Sequence, residues 1–179
     1  MKAQDKRLQP YLRSQLFIAL ISEIEDFVFS LLRLVILQYP KKIGSKTVQV
    51  ERLVELGYGQ VLKETVEKTL NELAYARPTE YRKGVQSYLS MDDEILDQFW
   101  PAFVEMKARR DAGVHNGWNK NAVYERKVKE AGGRASVAPF LGIADDYFSQ
   151  SLKAARSLIE ALSEHCLDKF APQGDVISG

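Results

Sequence analysis

The segment that decides the fold is residues 16–37, which read LFIALISEIEDFVFSLLRLVIL. Apolar residues recur in this segment at three- and four-residue spacing, which is the period of an α-helix and not the alternation of a β-strand. They form two adjacent stripes, one of Leu16, Leu20, Ile24, Phe27, Leu31 and Val35 and one of Phe17, Ile21, Val28 and Leu32. This apolar arc is wider than a single surface helix needs. It predicts either the central helix of a bundle or a helix that a second subunit also covers.

The same segment argues against a membrane-spanning helix, because six polar residues interrupt it and a span needs about 20 nearly uncharged residues. The interruptions are Ser22, Glu23, Glu25, Asp26, Ser30 and Arg33. The polar N-terminus shows no signal-peptide pattern. One cysteine cannot form an internal disulfide, and one cysteine with two histidines leaves few ligands for zinc. We therefore expect a soluble, cytoplasmic protein with no membrane partner, no metal and no other cofactor.

The rest of the chain continues the helical period, and its 179 residues suit one domain. In the first half we expect a helix from Pro10 to Tyr39, a basic loop over 40–47, a short helix over 48–56 ended by Gly57, and a helix over 60–76 ended by Pro78. Residues 79–89 are ambiguous, with one or two helical turns expected around Gly84.

The second half begins with a helix that Ser90 would cap, that Pro101 would kink or restart, and that would end at Asn116-Gly117. A short helix capped by Asn121 and ending at Ala131, a loop over 134–144, and a final helix from Asp145 or Asp146 that fades by Phe170 complete the prediction. The predicted fold is an all-α, antiparallel helical bundle of about five helices over residues 1–170. Residues 171–179 are predicted to be a disordered tail.

The net charge of +1 hides an alternation along the chain, since residues 1–50 carry +4, 51–104 carry −4, 105–134 carry +4 and 135–179 carry −3. A near-neutral total is not typical of a nucleic-acid-binding domain. The basic quarter 105–134 is nevertheless a local candidate for contact with an RNA backbone. Its basic side chains fit such a track or an ordinary solvated surface equally well.

The residues with the clearest chemistry lie in this basic quarter, where His115 follows Arg110 by five positions near the predicted end of a helix. Imidazole exchanges a proton near neutral pH, and guanidinium binds a phosphate through two hydrogen bonds. Cleavage of a phosphodiester by its neighbouring 2′-hydroxyl needs these two functions and no metal. Asp111 precedes His115 by four positions, so both share one helix face, and Asp111 would orient or stabilise the imidazole.

Structural explanations exist for the same residues. His115 followed by Asn116-Gly117 is also a plain helix C-terminus, favoured by the helix dipole and a left-handed stop. Trp118, Tyr124 and Tyr147 would either stack on bases or pack beneath the loop.

Three acidic residues, Glu23, Glu25 and Asp26, interrupt the apolar helix. Any of them that is buried needs a cationic partner, for which Arg109 and Arg110 are the candidates.

The string Arg110-Asp-Ala-Gly-Val-His115-Asn-Gly117 resembles the Arg-x4-His signature of the HEPN superfamily, the higher eukaryotes and prokaryotes nucleotide-binding domains. In that family a polar residue follows the arginine, as Asp111 does, and an aromatic residue follows some positions later, as Tyr124 does. The resemblance is specific over residues 105–125 and only architectural elsewhere.

The resemblance implies an all-α domain that commonly dimerises and, in many members, a metal-independent endoribonuclease of a toxin–antitoxin, phage-defence or RNA-processing system. Two copies of the motif would meet across a homodimer to form one composite site. Arg110 would hold the scissile phosphate, His115 would act as acid or base, and Asp111 would support them. Arg109 is an alternative for the arginine role. The predicted RNA contacts are Arg109, Asn116, Lys120, Arg126, Lys127 and Lys129.

An antitoxin or a defence complex would be the further partner. One toxin branch carries a tyrosine two residues after the histidine, where this chain has Gly117, so regulation through that tyrosine is not expected. Some members of the superfamily lack activity. The alternative function is therefore a non-catalytic HEPN module that binds RNA or nucleotide or assembles a larger complex. A third hypothesis is a helical interaction domain that uses the apolar arc of residues 16–37.

Overall fold

The chain folds into six α-helices in the computed structural model, which describes residues 2–170 and their side chains from residue 8 onward. The helices are α1 (Lys2–Gln38), α2 (Val50–Ala74), α3 (Pro78–Leu89), α4 (Asp93–Asn116), α5 (Ala122–Glu130) and α6 (Asp145–Phe170), with a 3-10 turn at Pro40–Ile43. No β-strand occurs in this range, which confirms the all-α prediction. The predicted disordered tail lies outside the described residues.

Within residues 2–170, no helix combines the length and the apolarity that crossing a membrane requires.

Helix α1 is the central helix, because it contacts α2, α3, α4 and α6. The stripe of Phe17, Ile21, Val28 and Leu32 is buried along its whole length. The other predicted stripe is only partly covered, since Ile24 and Val35 are buried whereas Leu16 is 58% exposed. The wide apolar arc is thus explained mainly by neighbours within the same chain.

The start of α1 was predicted wrongly, because the helix begins at Lys2 and Pro10 lies inside it. Proline lacks the N–H that an interior helical position donates, so a break near Pro10 was the natural expectation. The eight residues before it contain no helix breaker and several strong helix formers. One missing hydrogen bond does not end a helix whose flanks both favour it.

Helix α3 also differs from the prediction, since it is a regular helix of 12 residues that Pro78 begins. Tyr81, Val85 and Leu89 lie four residues apart and are buried, so they form the apolar face that holds α3 to the core. Ser90 does not cap α4. It is the left-handed residue that ends α3 (φ 51°), and its hydroxyl accepts a hydrogen bond from Lys42 Nζ at 2.5 Å.

One of two predicted helix breaks is present in the structure, and the other is not. Gly57 has the non-helical angles φ 74° and ψ 160° and breaks α2 at the predicted position, so α2 consists of two helical segments that meet at a kink. Helix α4 does not restart at Pro101. Trp100, Phe103 and Val104 are buried on either side of this proline, and their packing holds the helix continuous.

The end of α4 follows the prediction, because Gly117 adopts the left-handed conformation (φ 56°) at the helix C-terminus. Trp118 is also left-handed (φ 64°), and its indole turns back onto the last turn of α4. A Cβ atom at Gly113 would lie 2.6 Å from atoms of this ring. The close approach of Trp118 to the helix therefore requires glycine at position 113.

We predict that Gly113→Ala lowers the free energy of unfolding by about 1–3 kcal/mol, because the added methyl group must displace the indole of Trp118. Gly59→Ala is the matched control, since a Cβ at Gly59 of α2 meets nothing within 4 Å. This change should leave stability unchanged or raise it by up to about 1 kcal/mol, as alanine is the better helix former. Urea denaturation of both variants measures the difference, and equal effects would contradict the proposed contact.

Candidate functional site

A largely enclosed carboxylate on α4, Glu105, joins three helices. Glu105 accepts hydrogen bonds from Arg109 Nε at 2.9 Å, from the hydroxyl of Tyr124 at 2.7 Å and from the hydroxyl of Tyr147 at 2.6 Å. These donors lie on α4, α5 and α6, and Glu105 and Arg109 lie one helical turn apart. The Tyr124 hydroxyl in turn accepts from the backbone N–H of Ser136 at 3.1 Å, so the network also fixes the loop before α6.

Arg109 is enclosed by this network and is only 8% exposed. Its Nη1 donates to the carbonyl of Leu141 at 3.3 Å, and its guanidinium carbon lies 3.9 Å from the centre of the Tyr147 ring. Burial opposes the charge of Arg109, but Tyr147 and Glu105 outweigh that effect and raise the pKa of the guanidinium. Burial, reinforced by Glu105, raises the pKa of the Tyr147 hydroxyl, which keeps this group a proton donor.

The neighbouring Arg110 takes a different direction, since successive residues of a helix point about 100° apart. It lines an open groove of about 620 Å³ that is formed by α1, α3, α4, the start of α5 and the connection between α2 and α3. The polar side chains lining this groove are Glu25, Tyr81, Lys107, Arg110, Asp111, His115, Asn121 and Lys127.

Five charged side chains of the groove form a chain of alternating sign across three helices. Glu25 of α1 pairs with both Lys107 and Arg110 of α4. Asp111 pairs with Arg110 Nη1 at 3.4 Å and with Lys127 Nζ of α5 at 2.9 Å. Three cations therefore share two carboxylates, and the chain has one positive charge in excess.

Arg110 is not fully satisfied in this arrangement. Its Nε atom is buried and has no hydrogen-bond partner among the residues that the structure describes. A buried polar group without a partner is costly, and Tyr81, Arg82 and Trp100 each carry one as well. Arg110 therefore keeps one buried donor that no described residue uses.

His115 lies in the last turn of α4, is exposed, and lines the same groove as Arg110 and Asp111. The structure therefore brings together the three residues that the sequence proposed as a catalytic set. Among the three acidic residues that interrupt α1, Glu25 is largely enclosed and pairs with Arg110, one of the two cationic partners that the sequence offered.

The other predicted RNA contacts are more scattered. Lys127 lines the groove, whereas Lys120 pairs with Glu125 at 3.1 Å outside it. The Asn116 amide donates to the carbonyl of Asn119 at 2.9 Å and is occupied in the turn after α4. Arg126 and Lys129 are exposed on α5 and do not line the groove.

The three aromatic residues considered for base stacking pack instead within the fold. Tyr124 is 1% exposed. The rings of Trp118 and Tyr147 lie 6.2 and 5.7 Å from that of Phe17, measured between ring centres. None of the three lines the groove, which confirms the packing interpretation.

Two important residues were not singled out by the sequence. The four-residue spacing of Glu105 and Arg109 predicts an ion pair within one helix. No feature of the nearby sequence predicts that Tyr124 and Tyr147 also bind Glu105. Lys107 appeared only as one member of a basic surround, because its partner Glu25 lies 82 positions earlier in the chain.

Comparisons with protein-family models, with curated proteins and with solved structures find no match. Among the described residues, no group of three or more histidine, cysteine, aspartate and glutamate side chains is placed to hold a metal ion. A functional proposal therefore rests on the geometry of the groove.

We predict that Glu105→Ala lowers the free energy of unfolding by about 3–5 kcal/mol, because it leaves the buried Arg109 without its carboxylate. Glu160→Ala is the matched control, since Arg156 and Glu160 form an ion pair of the same four-residue spacing on the exposed side of α6. Thermal and urea unfolding should show no measurable change for this control. A small effect of Glu105→Ala would contradict the importance of the network.

Proposed function

We propose that this protein is a metal-independent endoribonuclease of the HEPN type and that the groove bearing Arg110, Asp111 and His115 is its site. The observation that carries the proposal is that these three side chains line one groove together with Lys107 and Lys127. The groove combines an accessible imidazole with cations suited to a phosphate, which is the combination that RNA cleavage without a metal requires.

The proposed reaction is attack of a ribose 2′-oxygen on the adjacent phosphorus. The 2′-hydroxyl loses its proton as the new P–O bond forms, and the 5′-oxygen gains a proton as its bond to phosphorus breaks. His115 transfers one of these protons. Arg110 binds the phosphate oxygens and stabilises the charge that builds on them. The products are a 2′,3′-cyclic phosphate and a free 5′-hydroxyl.

The geometry favours Arg110 over Arg109 as the phosphate-binding residue. Arg110 lines the groove and keeps one donor unpaired, whereas Arg109 is buried and its guanidinium binds Glu105 and Leu141. We therefore assign Arg109 a structural role and Lys127 a role in RNA binding. Lys120, Arg126 and Lys129 would contact the RNA backbone only beyond the groove.

A second copy of the chain is the proposed partner that completes the site. Exposed apolar side chains accompany the polar groove, since Tyr75 is 92%, Val114 50% and Val123 47% exposed. Tyr75 and Val123 line the groove, and Val114 directly precedes His115. An apolar rim of this kind suits contact with another protein surface. A toxin or a phage-defence or RNA-processing effector, with an antitoxin or complex partner, is the biological class that this proposal implies.

The test is cleavage of single-stranded RNA by the purified protein in EDTA, with the product ends identified. We expect 2′,3′-cyclic phosphate termini. His115→Ala and Arg110→Ala should each lower the cleavage rate by at least about 100-fold, the usual contribution of one acid–base or charge-stabilising group.

Arg156→Ala is the matched arginine control, because Arg156 is exposed on α6 and does not line the groove. It should cleave like the wild type. Absence of cleavage, or equal cleavage by the His115→Ala variant, would contradict the proposal. RNA binding that weakens with salt but is never followed by cleavage would instead favour the non-catalytic HEPN module.

A further inference from the structure

Glu25 occupies the cations that a phosphate would need. Its carboxylate pairs with Lys107 and with Arg110 and is only 13% exposed, so it lies inside the groove wall and not on the outer surface of α1. An incoming phosphate and the Glu25 carboxylate present the same charge and the same kind of oxygen acceptor to Arg110. The two groups cannot both make full use of one guanidinium.

We propose that Glu25 is a gating residue that lowers the affinity of the groove for phosphodiesters until they displace it from Arg110 and Lys107. This proposal rests on the function proposed above, because it concerns the same groove. It adds a competing group on a separate helix and a third cation, Lys107, to the set that binds the RNA backbone.

The two carboxylates of the groove, Glu25 and Asp111, differ in which cations would become available if each carboxylate left its ion pairs. Asp111 holds Lys127 at 2.9 Å and lies beside Arg110 on the same helix, so it moves together with the arginine. Glu25 belongs to α1 and bridges two cations of α4 across a helix interface. Removal of Glu25 leaves Lys107 without its carboxylate and leaves Arg110 with Asp111 alone.

The change in anion affinity when Glu25 is replaced has opposite signs for gating and for a purely structural role. If Glu25 only stabilised the fold, its replacement would weaken the binding of an anion. If Glu25 competes with the anion, replacement tightens that binding, because two cations lose the carboxylate that they share while the groove keeps its shape. Coupling between competing groups is typically worth about fivefold or more in affinity.

The experiment measures binding of a short fluorescent single-stranded DNA by anisotropy at fixed salt. DNA lacks the 2′-hydroxyl, so this probe reports phosphodiester binding and cannot be cleaved by the proposed reaction. We expect Glu25→Gln to bind the probe at least about fivefold more tightly than the wild type. Glu23→Gln is the matched control, because Glu23 lies on the same helix, carries the same charge and is exposed outside the groove. It should bind like the wild type.

The Glu25→Gln variant could fail to fold, because it removes the carboxylate that Lys107 and Arg110 share. A second pair of variants covers this case. Glu25→Gln/Lys107→Gln removes one charge of each sign and should bind the probe more tightly than Lys107→Gln alone. Gating is overturned if Glu25→Gln binds no more tightly than Glu23→Gln, or if the double variant binds no more tightly than Lys107→Gln. Failure of all variants and the wild type to bind the probe also overturns it.

The cleavage assay on RNA distinguishes this failure from failure of the proposed function. Tighter probe binding by Glu25→Gln without any RNA cleavage supports gating and contradicts the nuclease. RNA cleavage that needs His115, with no effect of Glu25→Gln on probe binding, supports the nuclease and contradicts gating.

Discussion

The Glu105 carboxylate accepts hydrogen bonds from groups on α4, α5 and α6, and the position of every groove residue on α4 and α5 depends on that arrangement. A buried carboxylate is tolerated only when its acceptors are satisfied, so the network permits few alternative placements of these helices. Tyr124 brings α5 against α4, which places Lys127 beside Asp111. The groove is therefore built on the face of α4 that Arg109 and Glu105 do not occupy.

Arg109 and Arg110 show that adjacent residues of one helix can lie in different surroundings. Arg109 and Arg110 have identical chemistry and differ by one position, yet the first is enclosed among two tyrosines and a carboxylate while the second reaches the groove. The rotation of about 100° per residue assigns them to different surroundings. The structure resolves an ambiguity that residue type alone leaves open, because only the neighbouring helices determine which side of α4 is buried.

The parts of the fold that were predicted correctly depend on local signals. Gly117 ends α4 in the left-handed conformation, and the Asn121 side chain accepts from the Tyr124 backbone N–H at 2.9 Å, as a helix cap should. The errors arise where another influence outweighs a local signal. This influence is the helix-forming flanks at Pro10 and the buried packing at Pro101. Pro10 and Pro101 lie inside helices whose flanks favour continuation, and Ser90 ends α3 instead of capping α4 because α3 is a full helix. Among the groove residues, Arg110, Asp111 and His115 could be grouped from the sequence because they lie within six consecutive positions of α4. The sequence showed only that Glu25 would need a cationic partner if it were buried. It could not predict the pair with Lys107, because 82 positions separate the two residues and no local spacing connects them.

The ion chain of the groove also shows how a net charge of +1 is compatible with a local concentration of cations. Three cations are concentrated in one place, but Glu25 and Asp111 neutralise most of their charge in the free protein. Such an arrangement attracts distant polyanions only weakly, because the excess charge is small and is screened within about 8–10 Å at physiological salt. At short range the Arg110 guanidinium already serves two carboxylates, so an anion that binds it must compete with Glu25 and Asp111. This distribution of charge therefore favours contact with an anion that has already reached the groove over long-range attraction of polyanions by the whole protein.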